Sequence, residues 1–174
     1  MRYLIDQRGL EPEIALAFYR TALAWAAKRG QRFVIHLRRG IYGDPQDAAR
    51  LCALGEPRAS TPHIPKDLPG RLIARMFPAP SDMVWVEGMP DQVFVSELTR
   101  TGAPLHAVSG DLCPVEDLIV FHDERVLFGS YEYGRDLVLE LSGEELDSLR
   151  ATLKGAELEG GRIIPAPSEN MGSR

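Results

Sequence analysis

Three short apolar segments in the C-terminal half constrain the fold of this chain more than any other feature. They are DLIVF (117–121), RVLFGS (125–130) and DLVLELS (136–142), and only a few polar residues separate them. Connections this short join antiparallel neighbours, because a parallel pair of strands needs a crossover of a dozen or more residues. The sequence therefore predicts an antiparallel meander over residues 117–141.

The first of these segments is apolar on both sides. Leu118 and Val120 share one face of the predicted strand, and Ile119 and Phe121 share the other, because side chains alternate along a strand. A strand that is apolar on both faces is predicted to lie inside the sheet. Residues 126–128 are predicted to alternate in the same way, with the outer two on one face and the middle one on the other.

The N-terminal part of the chain has a different rhythm, in which helical and strand patterns alternate. The helical patterns cover 11–29, 44–54 and 90–101, and the strand patterns cover 33–38, 83–87 and 104–108. Helices between successive strands indicate parallel neighbours joined by right-handed crossovers. The predicted fold class is α/β: a two- or three-layer domain with helices flanking a mixed sheet, parallel in its N-terminal part and antiparallel in its C-terminal meander.

Local signals support several of these elements. Ile14, Phe18, Thr21 and Trp25 recur at three- and four-residue steps, which predicts an amphipathic helix with these residues on its buried face. In strand 33–38, alternation separates the odd-numbered residues, which are all apolar, from the even-numbered ones. The proline-rich segment 56–70 is predicted to be a long binding loop or a lid.

The C-terminal part is predicted to close with one more helix. Ser142 and Glu145 have the spacing of a capping box, which predicts a helix over 143–155. Beyond it, residues 156–174 show little pattern and are predicted to be an extended or disordered tail. The predicted organisation is therefore one α/β domain over 1–155 followed by this tail.

Composition narrows the classes of function. The 174 residues carry a formal charge of −5, which gives the whole chain no attraction to nucleic acid or to an anionic membrane. The N-terminus lacks the apolar core of a signal peptide, and no apolar run is long enough to span a bilayer. A cytoplasmic protein without membrane contact is expected. Cys52 and Cys113 lie in no metal-ligand spacing and no cofactor fingerprint is present, so neither a metal nor a cofactor is predicted.

The best candidate binding cluster follows the strand at 33–38. It comprises His36, Arg38, Arg39, Tyr42 and Asp44, at the end of that strand and the start of the next helix. In open α/β sheets ligands bind beyond the carboxyl ends of strands, and arginine pairs with phosphate or carboxylate in a bidentate manner. The cluster is predicted to bind an anionic ligand. The alternative is that the arginines pair with surface acids and Asp44 only caps its helix.

A catalytic alternative uses residues from separate strands. His36, His106 and Asp44 could converge in the fold as the base and acid of a hydrolase. His122 also has carboxylates beside it, in Asp123 and Glu124, but no spacing fits a zinc motif. Convergence of the histidines in one cleft would favour an enzyme, and their dispersal would favour binding or assembly.

The order of elements, with Gly129 and Ser130 in a hairpin, resembles one half of a phospholipase D superfamily fold. Aligned on these two residues, the positions of that family's His, Lys, Asp and Asn hold, in that order, Val115, Asp117, His122 and Glu132. In the family, the histidine is the nucleophile and the lysine binds phosphate. The resemblance therefore implies a relative whose catalytic residues have been replaced and which serves binding or assembly.

Three classes of function remain open on the sequence. The first is a non-catalytic binding or regulatory module for a phosphorylated or acidic ligand or a protein partner. The second is a hydrolase of the phosphodiesterase type that uses the catalytic alternative above. The third is an assembly subunit, for instance a homodimer, with an apolar strand edge and the proline-rich segment as its interfaces.

Overall fold

The computed structural model describes residues 1–38, 45–58, 83–100, 115–131, 136–158 and 162–166. These ranges contain eight strands and four helices. In chain order they are β1 (Arg2–Ile5), α1 (Pro12–Ala27), β2 (Arg32–Arg38), α2 (Pro45–Cys52), β3 (Glu56–Arg58), β4 (Met83–Gly88), α3 (Gln92–Arg100), β5 (Val115–His122), β6 (Arg125–Tyr131), β7 (Asp136–Glu140), α4 (Gly143–Gly155) and β8 (Ile163–Pro165).

All eight strands join one sheet in the order β3-β4-β2-β5-β6-β7-β1-β8, and every neighbouring pair is antiparallel. The α/β class and the strands β2 and β4 are as predicted, but the parallel N-terminal part is wrong. The reason lies in β2. Strands β4 and β5, the described strands before and after α3, run in the same direction, but β2 lies between them and runs against both. The strand predicted over 104–108 lies outside the described residues.

The antiparallel meander is confirmed, and β5 lies inside the sheet between β2 and β6. The predicted alternation of β6 is wrong at one point. A bulge shifts the register so that Val120 faces Phe128 while Phe121 faces Val126. The extra residue places Leu127 and Phe128 in the same core cluster and Val126 in the other.

Helix α1 is confirmed, with Pro12 in its first turn, but its buried face differs from the predicted stripe. Phe18 and Trp25 are buried, whereas Ile14 is 45% exposed. Alanines fill much of the buried face, and their small side chains allow the helix to pack closely against its neighbours. A pattern that counts only large apolar residues does not detect such a face.

Helices α3 and α4 begin at clear caps. The backbone N–H of Phe94 donates to the Asp91 side chain (2.8 Å), so the carboxylate of Asp91 caps α3. The predicted capping box of Ser142 and Glu145 is confirmed at the start of α4. The segment 56–70 was predicted to be a loop or lid, but its first three residues form β3 in the sheet; residues 59–70 lie outside the described residues.

Strands β1 and β8 were not predicted. Tyr3 pairs with Leu139 of β7 on one side and with Pro165 of β8 on the other, so the N-terminus lies inside the sheet. Strand β8 comes from the region that was predicted to be an extended or disordered tail. The outer strands of the sheet, β3 and β8, have three residues each, and both contain a proline, Pro57 and Pro165.

The two faces of the sheet differ. The helix-side face packs against α1, α3 and α4 and forms the larger core cluster, whose sheet members include Phe33, Ile35, Leu37, Val86, Leu118, Val120, Leu127, Phe128, Leu137 and Leu139. The opposite face, called the far face below, carries a smaller cluster of Val34, Trp85, Ile119, Phe121, Val126, Tyr131 and Val138. None of the helices in the described ranges is long and apolar enough to cross a membrane.

Candidate functional site

Three side chains on adjacent strands of the far face form a row across the sheet. His36 of β2 pairs in register with Trp85 of β4 on one side and with Asp117 of β5 on the other. Residues directly opposite each other in an antiparallel pair point to the same face, so the three side chains are neighbours. We call this arrangement the His36 row.

The His36 ring is fixed in both plane and rotation. It stacks on the Trp85 indole with ring centroids 4.1 Å apart and planes inclined by 8°. Its Nδ1 lies 3.3 Å from Asp117 Oδ2, so this nitrogen donates to the carboxylate when it carries a proton. The two side chains are only 7% and 15% exposed, which places an ionisable pair inside the sheet.

A bulge in the β2–β5 pairing adjoins the row. His36 faces Asp117, but the next residue, Leu37, faces Val115, so β5 has one additional residue at this point. Bulges change the local twist and redirect side chains, and they are over-represented beside active sites. The irregular backbone therefore coincides with the buried ionisable pair.

Ion pairs that join β4 to β2 and β3 lie near the row on the same face. Glu87 accepts from Arg32 at 3.0 Å and lies 3.0 Å from Arg58 Nε, so one carboxylate joins β4 to both of its neighbours. The Arg32 guanidinium also covers the Phe121 ring, 4.1 Å from its centroid. These charges are balanced locally, as partly buried charges in a sheet must be.

Two adjacent hydroxyl groups on β6 lie inside the protein without a hydrogen-bond partner among the described residues. Ser130, fully buried, faces the helix side, because it stands opposite Leu118. Tyr131, 4% exposed, faces the far side, and its ring lies over Gly129. A Cβ at Gly129 would stand 2.6 Å from Tyr131 Cζ, so a glycine is needed there to accommodate the ring.

The structure describes two of the five residues predicted for the binding cluster. His36 is in the row, and Arg38 ends β2 two residues further along the chain. Arg39, Tyr42, Asp44 and His106 lie outside the described residues, so the predictions for them remain predictions.

His122 lies away from His36. It stands five residues beyond Asp117 on β5, roughly 16 Å along the strand. Its Nδ1–H donates to the carbonyl of Arg29 (2.7 Å), and 39% of its side chain is exposed. His36 and His122 therefore do not share one cleft.

Asp117, Trp85 and Tyr131 were not identified as site residues from the sequence. Asp117 is the acidic residue at the start of the apolar segment DLIVF, and Trp85 is the large aromatic of MVWVEG. These are the only sequence signals that could have indicated the two residues. At the positions suggested by the phospholipase D resemblance, Val115 lies in the helix-side core and Asp117 bonds to His36.

Among the described residues, no group of three or more His, Cys, Asp or Glu side chains could hold a metal ion. Comparison of the chain with family models, with curated proteins and with solved structures finds no match.

Proposed function

We propose that the protein is a non-catalytic binding or regulatory module whose site lies on the far face, at the end of β2, and takes a small phosphorylated or acidic ligand. The observation that carries this proposal is the His36 row: an imidazole held between an indole and a carboxylate inside a sheet. Arg38, Arg39 and Tyr42 follow the row in sequence and are the proposed contacts of the anionic group, while Asp44 completes the proposed cluster as the cap of the next helix.

The energetic cost of the row supports a functional role. Removing a carboxylate and an imidazole from water is unfavourable, and well-packed apolar side chains at such positions are often equally or more stable. The neighbouring positions on this face, Val34 and Ile119, are apolar and fully buried. An ionisable pair kept beside these apolar side chains, despite its cost, is a candidate for a binding or catalytic site.

The side chains at the positions of the phospholipase D pattern argue against that family's reaction in this protein. Val115, at the nucleophile position, is apolar and buried in the helix-side core. Asp117, at the phosphate-binding position, is a carboxylate and faces the opposite side of the sheet. Neither side chain can perform the family's step at phosphorus.

One observation favours the second candidate, a hydrolase of the phosphodiesterase type. A carboxylate bonded to one imidazole nitrogen orients the ring and fixes its tautomer, as a general base requires. Asp117 stands in this relation to His36. In this candidate His36 is the base, and His106 and Asp44 complete the site.

The binding proposal can be tested by tryptophan fluorescence, because the two tryptophans lie on opposite faces of the sheet. Trp85 stacks on His36, whereas Trp25 belongs to α1 and donates to Ser148 Oγ (3.2 Å). In a Trp25→Phe background, titration with inorganic phosphate should change the Trp85 emission in a saturable manner. Arg38→Ala should weaken this binding about tenfold or more, the cost of one charge-assisted contact. His36→Gln should weaken it as well, because it removes the ring that stacks on Trp85.

His122→Gln is the matched control, since it alters a histidine at the far end of β5 and should leave the affinity unchanged. Equal affinity in all variants would remove the site from the His36 row. Turnover of a generic phosphodiester is expected to be absent with or without divalent metals. Reproducible turnover that His36→Gln or His106→Ala abolishes would establish the hydrolase instead.

A further inference from the structure

The hydroxyl of Tyr131 is buried on the far face, and packing alone does not account for it. The side chain is 4% exposed, and its hydroxyl has no hydrogen-bond partner among the described residues. A buried polar group without a partner destabilises the fold, and in native proteins such groups are uncommon. A phenylalanine would fill the same space over Gly129 without this cost.

The hydroxyl is a donor under all ordinary conditions. Burial raises the pKa of Tyr131 strongly, and the carboxylates of Asp117 and Glu140 raise it further, with Arg2 opposing them. The phenol therefore keeps its proton. The same two carboxylates make this part of the far face unfavourable for an anion, while an uncharged oxygen can accept from the phenol without repulsion.

Strand register places Tyr131 next to the His36 row. Leu118 pairs with Ser130, so Asp117 and Tyr131, the next residues along the two strands, lie at neighbouring positions. Asp117 thus has His36 on the strand at one side and Tyr131 on the strand at the other. Two strand spacings separate the latter two, roughly 10 Å, which a small organic molecule can span.

We propose that Tyr131 is a specificity-determining residue of this site, and that its hydroxyl donates a hydrogen bond to an uncharged carbonyl or hydroxyl oxygen of the ligand. This inference rests on the proposed function, since it assumes that the site binds a phosphorylated or acidic molecule. The ligand class becomes narrower: its anionic group lies toward Arg38, and its opposite end carries a neutral oxygen.

The first experiment compares the stability of Tyr131→Phe with that of Ser130→Ala. Both variants remove one buried hydroxyl from adjacent residues of β6, but on opposite faces. If both hydroxyls lack partners in the unliganded protein, each variant should raise the melting temperature, by about 2–4 °C. A fall in the melting temperature of Tyr131→Phe would show that the hydroxyl is already satisfied within the fold, and would overturn the inference.

The second experiment measures affinity with two matched probes, methyl phosphate and glycerol 3-phosphate, which carry the same phosphate ester but differ in hydroxyl groups. The readout is the Trp85 emission in the Trp25→Phe background. The wild-type protein should prefer glycerol 3-phosphate, and Tyr131→Phe should lose about tenfold in affinity for it and none for methyl phosphate. Ser130→Ala should leave both affinities unchanged.

The outcomes separate the two proposals. Binding of neither probe by the wild-type protein would overturn the proposed function and the role of Tyr131 with it. Binding of both probes with equal losses, or with no loss, in Tyr131→Phe would overturn the role of Tyr131 alone. Opposite changes in Tyr131→Phe, with higher stability and lower affinity for glycerol 3-phosphate, are the result that supports the inference.

Discussion

The two faces of the eight-stranded sheet differ in the side chains that they bury. On the helix-side face, successive strands contribute an almost continuous apolar surface, and α1 and α4 pack against each other above it. On the far face the apolar surface is smaller, and ionisable side chains interrupt it at the His36 row and at Glu87.

The difference indicates which side of the molecule contributes most to stability; the other side is the one that we propose for a ligand. Apolar burial is the main favourable contribution to folding, so the helix-side face should dominate stability. Buried polar pairs contribute little net stability but fix side chains in defined orientations. The far face is therefore expected to tolerate changes that would unfold the protein if they were made on the helix side.

The largest expected effect is the loss of a buried phenylalanine on each face. Phe128 lies on the helix side and packs edge-to-face on Tyr19, with ring centroids 5.5 Å apart. Phe121 lies on the far face beneath Arg32. Phe128→Ala should lower the free energy of unfolding by about 3–5 kcal/mol, and Phe121→Ala by the lower part of that range, because the Arg32 stem can collapse into the space.

Denaturant unfolding of the two variants side by side provides this measurement. A larger loss for Phe121→Ala than for Phe128→Ala would contradict the comparison, since the far face would then carry as much of the core energy as the helix side.

An intermediate effect is expected at the ion pair that fastens α4 to the meander. Arg125 donates to both carboxylate oxygens of Glu145, at 2.6 and 2.7 Å, and also to the carbonyl of Glu140. The hydrogen bond from Arg125 lowers the pKa of Glu145 from 4.5 to about 2. A carboxyl whose pKa is lower in the folded state stabilises the protein above pH 4.5, and this contribution disappears as the pH falls toward 2.

Glu145→Gln should therefore lower the unfolding free energy near neutral pH and have little effect near pH 2. The full pKa change corresponds to roughly 3 kcal/mol, and because both side chains are partly exposed we expect about 1–2 kcal/mol. Chemical unfolding of wild type and variant between pH 2 and 7 gives the difference curve. Glu144→Gln, on the exposed side of the same helix, is the control, and a pH-independent difference would refute the assignment to Glu145.

The smallest effect is expected at His122, in the hairpin that links β5 to β6. Its single hydrogen bond, to the Arg29 carbonyl, is partly exposed, so water can replace it. His122→Ala should cost less than about 1 kcal/mol in thermal unfolding. A loss comparable to that of the phenylalanine variants would mean that the turn is a buried polar site.

Sequence patterns predicted the parts of the fold that depend on local chemistry. The capping box at Ser142, the proline at the start of α1 and the short turns of the meander all act within a few residues, and all are confirmed. Strand direction in the N-terminal half is not local. The described strands on either side of α3, β4 and β5, do run in the same direction, but no sequence spacing shows that β2 is inserted between them.

The candidate site was likewise predictable only where the signal is local in the sequence. His36 was selected from the sequence because it precedes Arg38 near the end of a strand, and the structure places it in the row. Its partner Asp117 is 81 residues away, and the pairing depends on the register of two strands that meet only in the folded sheet. The bulge beside the row and the one in β6 likewise have no local signature, since an added residue changes a register without changing composition.

The two prolines in the outer strands have a consequence for how this protein behaves in a crowded solution. A sheet that ends in open strands can act as a template on which further strands assemble, either from other copies or from unfolded segments. In β3 the edge is three residues long, charged and exposed, and Pro57 lacks the N–H that an incoming strand would need; Pro165 has the same deficiency in β8. Within the described part of the chain, both rims thus disfavour the addition of further strands.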